Sequence, residues 1–540
     1  MATYQHPGIY IEEIPSARSI QGVSTSVPAF VGVTELGVVE TPTLITSWSD
    51  YTRQFGNLVW YGYVSWAVFE FFNEGGTSCY VVRTKDTDAS KTAAGKLSNL
   101  SVSAATTGTW GNNLSVIVSN SGNSAGTTPV FNISVAVGED KITTKGDAAL
   151  DVPAQLLAAY VQQNKLAPTS ISQANYYVLE SFNGFSISSA SASATAASAQ
   201  SLQTRINSTS IFIRVDASKL TSRPSNTGKP TSLNSGTDPV NDFDSGLKKL
   251  LKVDGISLLS MPDTTTAVDA SKKVTQSGQA AIVNLGLLFC EQIGSMFYVS
   301  DPPFGLDVQD IGGYKMGTGP NTQALNSSYG SIYYPWVWIF NSISNSNIPI
   351  PPSGPVLGRY AYTDQNSGVF KSPAGVSDGA LKTVTSVQEK ITDADQDFLN
   401  PEGINAIRNF IGYGNTIWGA RTLSSDTQWT YVAIRRLFIY VEQSLKQSLQ
   451  WVVFEPNDQT LWSSVSRDIS AFLQVLWQQG GLFGNTAKEA FYVTCDASNN
   501  PPETRALGQL YIDIGLAVVY PAEFVIIRVT QKTAGPDSGN

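Results

Sequence analysis

The sequence predicts a multidomain protein of mixed α/β (α+β) class, and three features carry that expectation. The chain has 540 residues, enough for several domains of about 150 residues each. In its second half, short apolar runs alternate with 3.6-residue periodicity, the pattern of a parallel or mixed sheet covered by helices. Between the N-terminal strands and that half lies a long stretch rich in Ser, Thr, Asn and Gly, with two-residue alternation, the mark of β-rich, loop-heavy modules.

Taken in order, residues 1–27 read as an arm. Gly8, Ile9, Tyr10, Ile11, Glu12 and Glu13 form a strand pattern between Pro7 and Pro15, and the polar stretch Ser16–Ser26 suits an extended connector. From pattern alone, an edge strand folded back on its own domain fits equally well. Val27–Val33 reads as a buried strand, Trp48–Phe72 is crowded with aromatics, and Ser78–Val82 resumes as a strand. Leu97–Gly138 carries no charged residue, Leu114–Val118 alternates, and Ser188–Ser201 is almost entirely Ser, Ala and Thr, read as loop-heavy and solvent-facing. The Pro-containing stretch Thr221–Asp242 closes this insertion.

Strand, helix and strand follow at Gly255–Met261, Val274–Ile293 and Phe297–Val299. The aromatic run Ile332–Phe340 reads as a further strand. Ile434, Leu437, Phe438, Val441, Leu445, Leu449 and Val452 share one helical face, with Arg435, Arg436, Glu442 and Lys446 assigned to the opposite one. A second helix starts near Asp458 and stops at Gly480-Gly481. Strands at Phe491–Thr494 and Leu510–Val518 precede a last apolar strand of Phe524, Val525, Ile526, Ile527, Arg528 and Val529. Apolar on both sides, that strand must be covered on both faces. The domain boundaries expected are 1–27, 28–85, 86–244, 245–375, 376–516 and 517–540.

Counting excludes most chemistry. His6 is the only histidine, and Cys79, Cys290 and Cys495 are far apart, so neither a histidine-dependent catalytic centre nor a zinc site is expected. Gly375-Val376-Ser377-Asp378-Gly379 matches a nucleophile elbow in letters, but Pro373 disrupts the strand it needs and the histidine base is missing. Asp393-Ala394-Asp395-Gln396-Asp397 starts like a calcium loop, but Phe398 and Ile404 stand where Gly and Glu belong. No phosphate loop is present. A formal net charge of −9 gives no basic stripe for nucleic acid, and no signal peptide or membrane span is visible. The expectation is a non-enzyme without cofactor, metal, nucleic-acid partner or membrane insertion. Only 14% of residues are charged, against a usual ~25%, which leaves a surface wetted by Ser, Thr, Asn and Gln or buried against partners.

A series of motifs in order then resembles the contractile tail sheath proteins of phages and phage-like injection systems. Pro7-Gly8-Ile9-Tyr10-Ile11-Glu12-Glu13 is similar to the family's opening. Trp110-Gly111-Asn112-Asn113-Leu114, Leu258–Asp263, Asp301-Pro302-Pro303, Tyr333–Trp336, Pro351–Gly354 and Ser372–Gly375 resemble its internal signatures. Leu399–Asn405, Trp418–Thr422, Arg435-Arg436-Leu437, Phe454–Asn457 and Pro521-Ala522-Glu523-Phe524 carry the best match. Roughly 120–250 matches poorly.

The resemblance implies an inner α/β core with β-rich outer insertion domains and extended N- and C-terminal arms. It implies a subunit that polymerises as helical rings, six per ring, around an inner tail tube and contracts irreversibly to drive the tube through a cell envelope. Gly8–Glu13 and Phe524–Val529 are the implied exchange strands, and Ser16–Ser26 the expected hinge between subunits. Implied partners are further copies of the chain, the inner tube protein, the baseplate and a tail terminator or cap; implied assembly is in a bacterial cytoplasm. For the inner tube, Arg467, Gln474 and Gln478 on the helix after Asp458 are the candidate contacts, with an internal packing role for that helix left open. A surface adhesin or shell protein with glycan-binding outer modules is the alternative.

Overall fold

The computed structural model describes residues 20–526 except 60–61, 87–90, 121–129, 143–151, 189, 238–239, 267–274, 321–322, 342–344 and 525. An eight-stranded sheet organises them, in the order Thr43–Ile45, Cys79–Arg83, Pro28–Gly32, Leu258–Ser260, Phe297–Ser300, Gly330–Tyr334, Ile404–Phe410 and Gly414–Ile417. The inner neighbours are parallel and the outermost pair at each end is antiparallel. Parallel strands covered on both faces need apolar side chains on both, as in the wholly buried Pro28–Gly32 and Phe297–Ser300.

Alternation along these strands feeds two cores. Phe30, Val81, Leu258, Phe297 and Tyr333 face the helices Val64–Asn73 and Ser353–Ser367. Ala29, Val31, Val82, Leu259, Tyr298 and Ile332 face the helices Phe243–Leu250 and Gln276–Ile293. The first helix pair crosses closely: a Cβ at Gly354 would lie 2.5 Å from the Ala67 Cα, and one at Gly358 2.5 Å from the Glu74 Cβ.

The Ser/Thr-rich stretch folds into a five-stranded sheet that includes Leu114–Asn120, Val130–Gly138 and Ala174–Ser186, beside a three-stranded sheet of Ile213–Asp216, Leu100–Ala104 and Ala94–Leu97. Its apolar interior is continuous with the first core. The helix Val152–Gln163 makes the joint: Tyr160 Oη donates to Ser346 Oγ at 2.7 Å, and Asn164 Nδ2 donates to the Asn347 carbonyl at 2.7 Å.

Three local expectations are corrected. The Ser/Ala run is not loop: Ala192–Thr209 is an 18-residue helix capped by Ser191, whose side chain accepts from the Ala194 N–H. Alanine is the best helix former, and Ala199, Leu202 and Ile206 give the helix one buried face. The run Ile332–Phe340 is two strands in two sheets, with Pro335 and Trp336 between Gly330–Tyr334 and Val337–Asn341. Arg435 and Arg436 are not on an exposed face: they are 6% and 3% exposed. Arg435 lies 3.4 Å over the Trp429 ring, and Arg436 pairs with Asp364.

The helices Val432–Ser448 and Gln459–Gln478 fall where periodicity puts them, and with the hairpin Phe491–Thr494/Asp513–Leu516 they enclose a third core built on Leu437, Val441, Val465, Ile469 and Leu473. That hairpin's second strand is shorter than the expected Leu510–Val518.

Candidate assembly surface

Gly8, Ile9, Tyr10, Ile11, Glu12 and Glu13 lie outside the described residues, and so do Val525, Ile527, Arg528 and Val529. What is described is the stretch of chain next to each of these segments.

On the N-terminal side, Ile20 is buried in the third core. The backbone then runs along the helix Val432–Ser448. The Gln21 N–H donates to Ser448 Oγ and the Val23 N–H to Ser444 Oγ, both at 3.1 Å, and Arg436 Nη2 donates to the Thr25 carbonyl at 2.9 Å. A Cβ at Gly22 would meet the Tyr440 hydroxyl, so glycine permits this close approach. Val27 closes the run against Ser257, whose N–H donates to the Val27 carbonyl at 3.0 Å. Residues 20–27 are therefore seated on the subunit by paired backbone groups. Of the expected Ser16–Ser26 connector, residues 16–19 lie outside the described residues and the rest is extended and tied to the helix Val432–Ser448 at three successive points.

On the C-terminal side, Phe491–Thr494 and Asp513–Leu516 pair only with each other among the described strands. A two-stranded sheet leaves a row of ladder groups on each outer edge, and such a pair gains stability by adding strands. The chain then crosses a groove of about 880 Å³ lined by Phe370, Asp397, Arg408, Trp418, Arg421 and Tyr520. Arg421 Nε donates to both Glu523 carboxylate oxygens at 3.1 and 3.2 Å, and its Nη2 also pairs with Glu523. These hydrogen bonds hold the Arg421 pKa above the ordinary arginine value. One residue further on, Phe524 is 73% exposed and Ile526 80%.

Arg467, Gln474 and Gln478 all lie on the exposed face of the Gln459–Gln478 helix, around Val475, while Leu461, Val465, Ile469 and Leu473 fill the third core. Arg467 Nε contacts Asp468 Oδ1 at 3.3 Å.

The sheet itself offers one place where α/β folds take ligands: the carboxyl ends of neighbouring strands whose connections run in opposite directions. Here that switch point lies between Pro28–Gly32 and Leu258–Ser260, and Asp263 fills it. Its carboxylate accepts from the Val33 and Tyr63 N–H groups, at the start of the helix Val64–Asn73. Burial pushes its pKa up to about 7. A Cβ at Gly32 would collide with the same carboxylate. Asp301 does the parallel job for Ser353–Ser367, accepting from Ser353 N–H at 2.8 Å and Ser353 Oγ at 2.6 Å. The aspartates of Met261-Pro262-Asp263 and Asp301-Pro302-Pro303 thus serve as internal hydrogen-bond acceptors at the starts of two packed helices. Among the described residues, no group of three or more His, Cys, Asp or Glu side chains is placed to hold a metal.

Residues 312–423 match the phage tail sheath protein central domain, and residues 424–532 match the phage tail sheath C-terminal domain. The C-terminal part of the chain, residues 312–532, is thus similar to two consecutive domains of phage tail sheath proteins. It is 30% identical over 205 residues to the tail sheath protein of Vibrio phage KVP40, covering 36% of this chain and 30% of that protein. It is 29% identical over 226 residues to a putative prophage major tail sheath protein of Pseudomonas aeruginosa strain UCBPP-PA14, covering 39% and 56%. The chain thus spans about a third to a half of the length of the curated relatives it matches. In fold it is similar to the anti-feeding prophage helical sheath in its contracted state, with TM-score 0.55 and 24% identity over 98% of this chain and 100% of that one. The sheath of the extracellular contractile injection system PVC, also contracted, gives TM-score 0.55 and 23% identity over 98% and 99%.

Sequence reasoning missed the contacts that hold residues 20–27 and Glu523 to the body. Arg421, Arg436 and Glu523 all sit inside the motifs that carry the resemblance, yet their pairing joins residues 72 to 411 positions apart, and no local pattern reports it.

Proposed function

We propose that this protein is the structural subunit of a contractile sheath, stacked in helical rings of six around an inner tube and contracting irreversibly to drive that tube through a cell envelope. The observation that carries the reading is a two-stranded sheet that pairs with no other described strand, in a subunit whose C-terminal segment is apolar and exposed at Phe524 and Ile526. Donating Phe524–Val529, and Gly8–Glu13 at the other end, to the same sheet of neighbouring copies satisfies backbone groups on both partners. Such donation runs head to tail, so it builds rings and helices in place of closed dimers.

The names of the relatives support the role, and similarity to a chain of the six-fold symmetrised anti-feeding prophage baseplate supports the ring size. In this reading 28–85, 245–375 and 376–516 form the inner body, 86–244 the outer modules, and 1–27 and 517–540 the arms. Arg467, Gln474 and Gln478 meet the inner tube protein, while baseplate and terminator proteins close the ends. The particle is a phage tail or phage-like device assembled in the bacterial cytoplasm. The subunit is not an enzyme: Asp263 occupies the sheet's ligand crevice, and contraction releases energy stored at assembly, without nucleotide.

Electron microscopy of the full chain, alone and with its inner tube protein, tests this. Hollow helical tubes are expected. Deleting Met1–Ser16 should abolish ordered tubes and leave a folded subunit; ordered tubes without that segment would overturn its exchange role, and dispersed subunits under both conditions would overturn the sheath reading.

A further inference from the structure

We infer that Arg421 and Glu523 form the fixed anchor from which the C-terminal segment leaves its own subunit. Among the described residues, the hydrogen bonds of Val519–Phe524 all run through the Glu523 carboxylate, to Arg421 and, at 3.5 Å, from the Tyr431 hydroxyl. Before this point the chain is tied to its own subunit: the Phe483 N–H donates to the Ala517 carbonyl and the Ala517 N–H to the Ala490 carbonyl, each at 2.8 Å. After it, Phe524 and Ile526 face solvent. Between the two ties the segment spans the groove, where the Tyr520 ring meets the Tyr431 ring edge-on at 6.2 Å, so the ion pair is the polar tie that fixes the far end of these five residues to the body.

Arg421 is built for this. Its own N–H donates to Asn405 Oδ1 at 2.7 Å, and Asn405 Nδ2 donates back to the Arg421 carbonyl at 2.8 Å and to the Ile332 carbonyl at 3.1 Å. Arg421 Nη1 donates to the Asn400 carbonyl at 3.0 Å. An uninterrupted chain of hydrogen bonds therefore runs from Ile332, in the middle of the eight-stranded sheet, through Asn405 and Arg421 to Glu523. The planar fork holds the carboxylate at a set angle, which a point charge does not do. Load applied beyond Phe524 is passed into the parallel sheet, and the anchored part of the chain extends to Glu523. That the segment is an exchange strand rests on the sheath reading; that it is anchored does not.

The two are separated by one pair of measurements on the full chain. The native cysteines Cys79, Cys290 and Cys495 are buried, so a spin label on A522C reports the segment in the unassembled subunit. Its spectrum is expected to be motionally restricted, to gain a fast component in E523Q and in R421A, and to return toward the restricted form in the R421E/E523R exchange. Thermal melting verifies folding, and E523Q is the main variant because R421A also frees the Asn400 carbonyl. Identical spectra with and without the ion pair would overturn the anchor. In assembly, E523Q is expected to give tubes with loss of helical order. E523Q tubes as ordered as the wild type would overturn the mechanical role of the anchor and leave the sheath reading standing. A wild type that forms no tubes overturns the sheath reading, while the spin-label result still decides the anchor.

Discussion

The carboxylate of Asp263 accepts hydrogen bonds from the backbone of Tyr63, 200 residues earlier in the chain, and from Val33 at the end of a neighbouring strand. Two segments remote in sequence thereby share one buried carboxyl acceptor at the start of the helix Val64–Asn73. Replacing it with alanine leaves those donors buried without an acceptor, at about 1–3 kcal/mol each. Asp263→Ala is therefore expected to lose several kcal/mol in urea unfolding. Asp263→Asn, keeping one acceptor oxygen, is expected to lose less.

The crossing of Val64–Asn73 with Ser353–Ser367 predicts a second sensitivity. A Cβ at Gly354 would meet the Ala67 Cα at 2.5 Å and the Ala67 carbonyl oxygen at 2.8 Å. Backbone cannot turn aside as a side-chain tip can. Gly354→Ala is expected to destabilise by about 1–3 kcal/mol through overpacking, against the small gain alanine gives an unconstrained helix. A lowered midpoint at unchanged slope in the urea transition is the expected signature.

These contacts mark what was legible in the sequence. The strands Val27–Val33 and Phe297–Val299 and the two long C-terminal helices were legible because their periodicity is a direct record of which faces are buried. The Ala192–Thr209 helix was hidden by composition, although Ala199, Leu202 and Ile206 already held a helical spacing. Arg436 was misplaced because a charged side chain reads as solvent-facing until its partner is known, and Asp364 lies 72 residues away. The contacts that hold residues 20–27 and Glu523 and the filled crevice at Asp263 depend on which remote segments meet, and periodicity is silent on that.

Glu70, in the last turn of the helix Val64–Asn73, and Glu74, which caps that helix, are both buried and predict a pH dependence. Thr383 donates to Glu74 from its N–H at 2.8 Å and its hydroxyl at 2.7 Å, while burial and the neighbouring Glu74 push Glu70 up to about 7. The folded state therefore holds a proton that the unfolded chain, with an ordinary pKa of 4.5, has already released. Glu70 contributes a stability that is full below pH about 4.5, declines as pH rises, and is gone above about 7, with a slope of up to about 1.4 kcal/mol per pH unit. Urea unfolding of wild type and Glu70→Gln between pH 5 and 8 checks this. The variant, neutral at every pH, is expected to show the shallower decline and to equal or exceed wild type at pH 7.

The seat of the N-terminal connector gives a prediction in two parts. Arg436 and Asp364 face each other with Nη2 2.5 Å and Nη1 3.1 Å from the carboxylate, each side chain only 3% exposed, and the same guanidinium holds the Thr25 carbonyl. Arg436→Met strands a buried carboxylate and is expected to cost about 3–5 kcal/mol. It removes an anchor of the connector at the same time, so it cannot separate seating from folding. Ser444→Ala/Ser448→Ala can. Those hydroxyls accept only from the Val23 and Gln21 N–H groups of the connector, and losing each is worth about 1 kcal/mol. In the double variant, hydrogen exchange at Gln21 and Val23 is expected to accelerate while the rest of the helix Val432–Ser448 keeps its protection. Unchanged exchange at those two amides would mean that the connector is held without these hydroxyls, by contacts such as those of Ile20, Arg436 and Ser257. Under the proposed exchange of Gly8–Glu13 between subunits, tubes of the double variant are expected to lose helical order even though the subunit melts close to wild type.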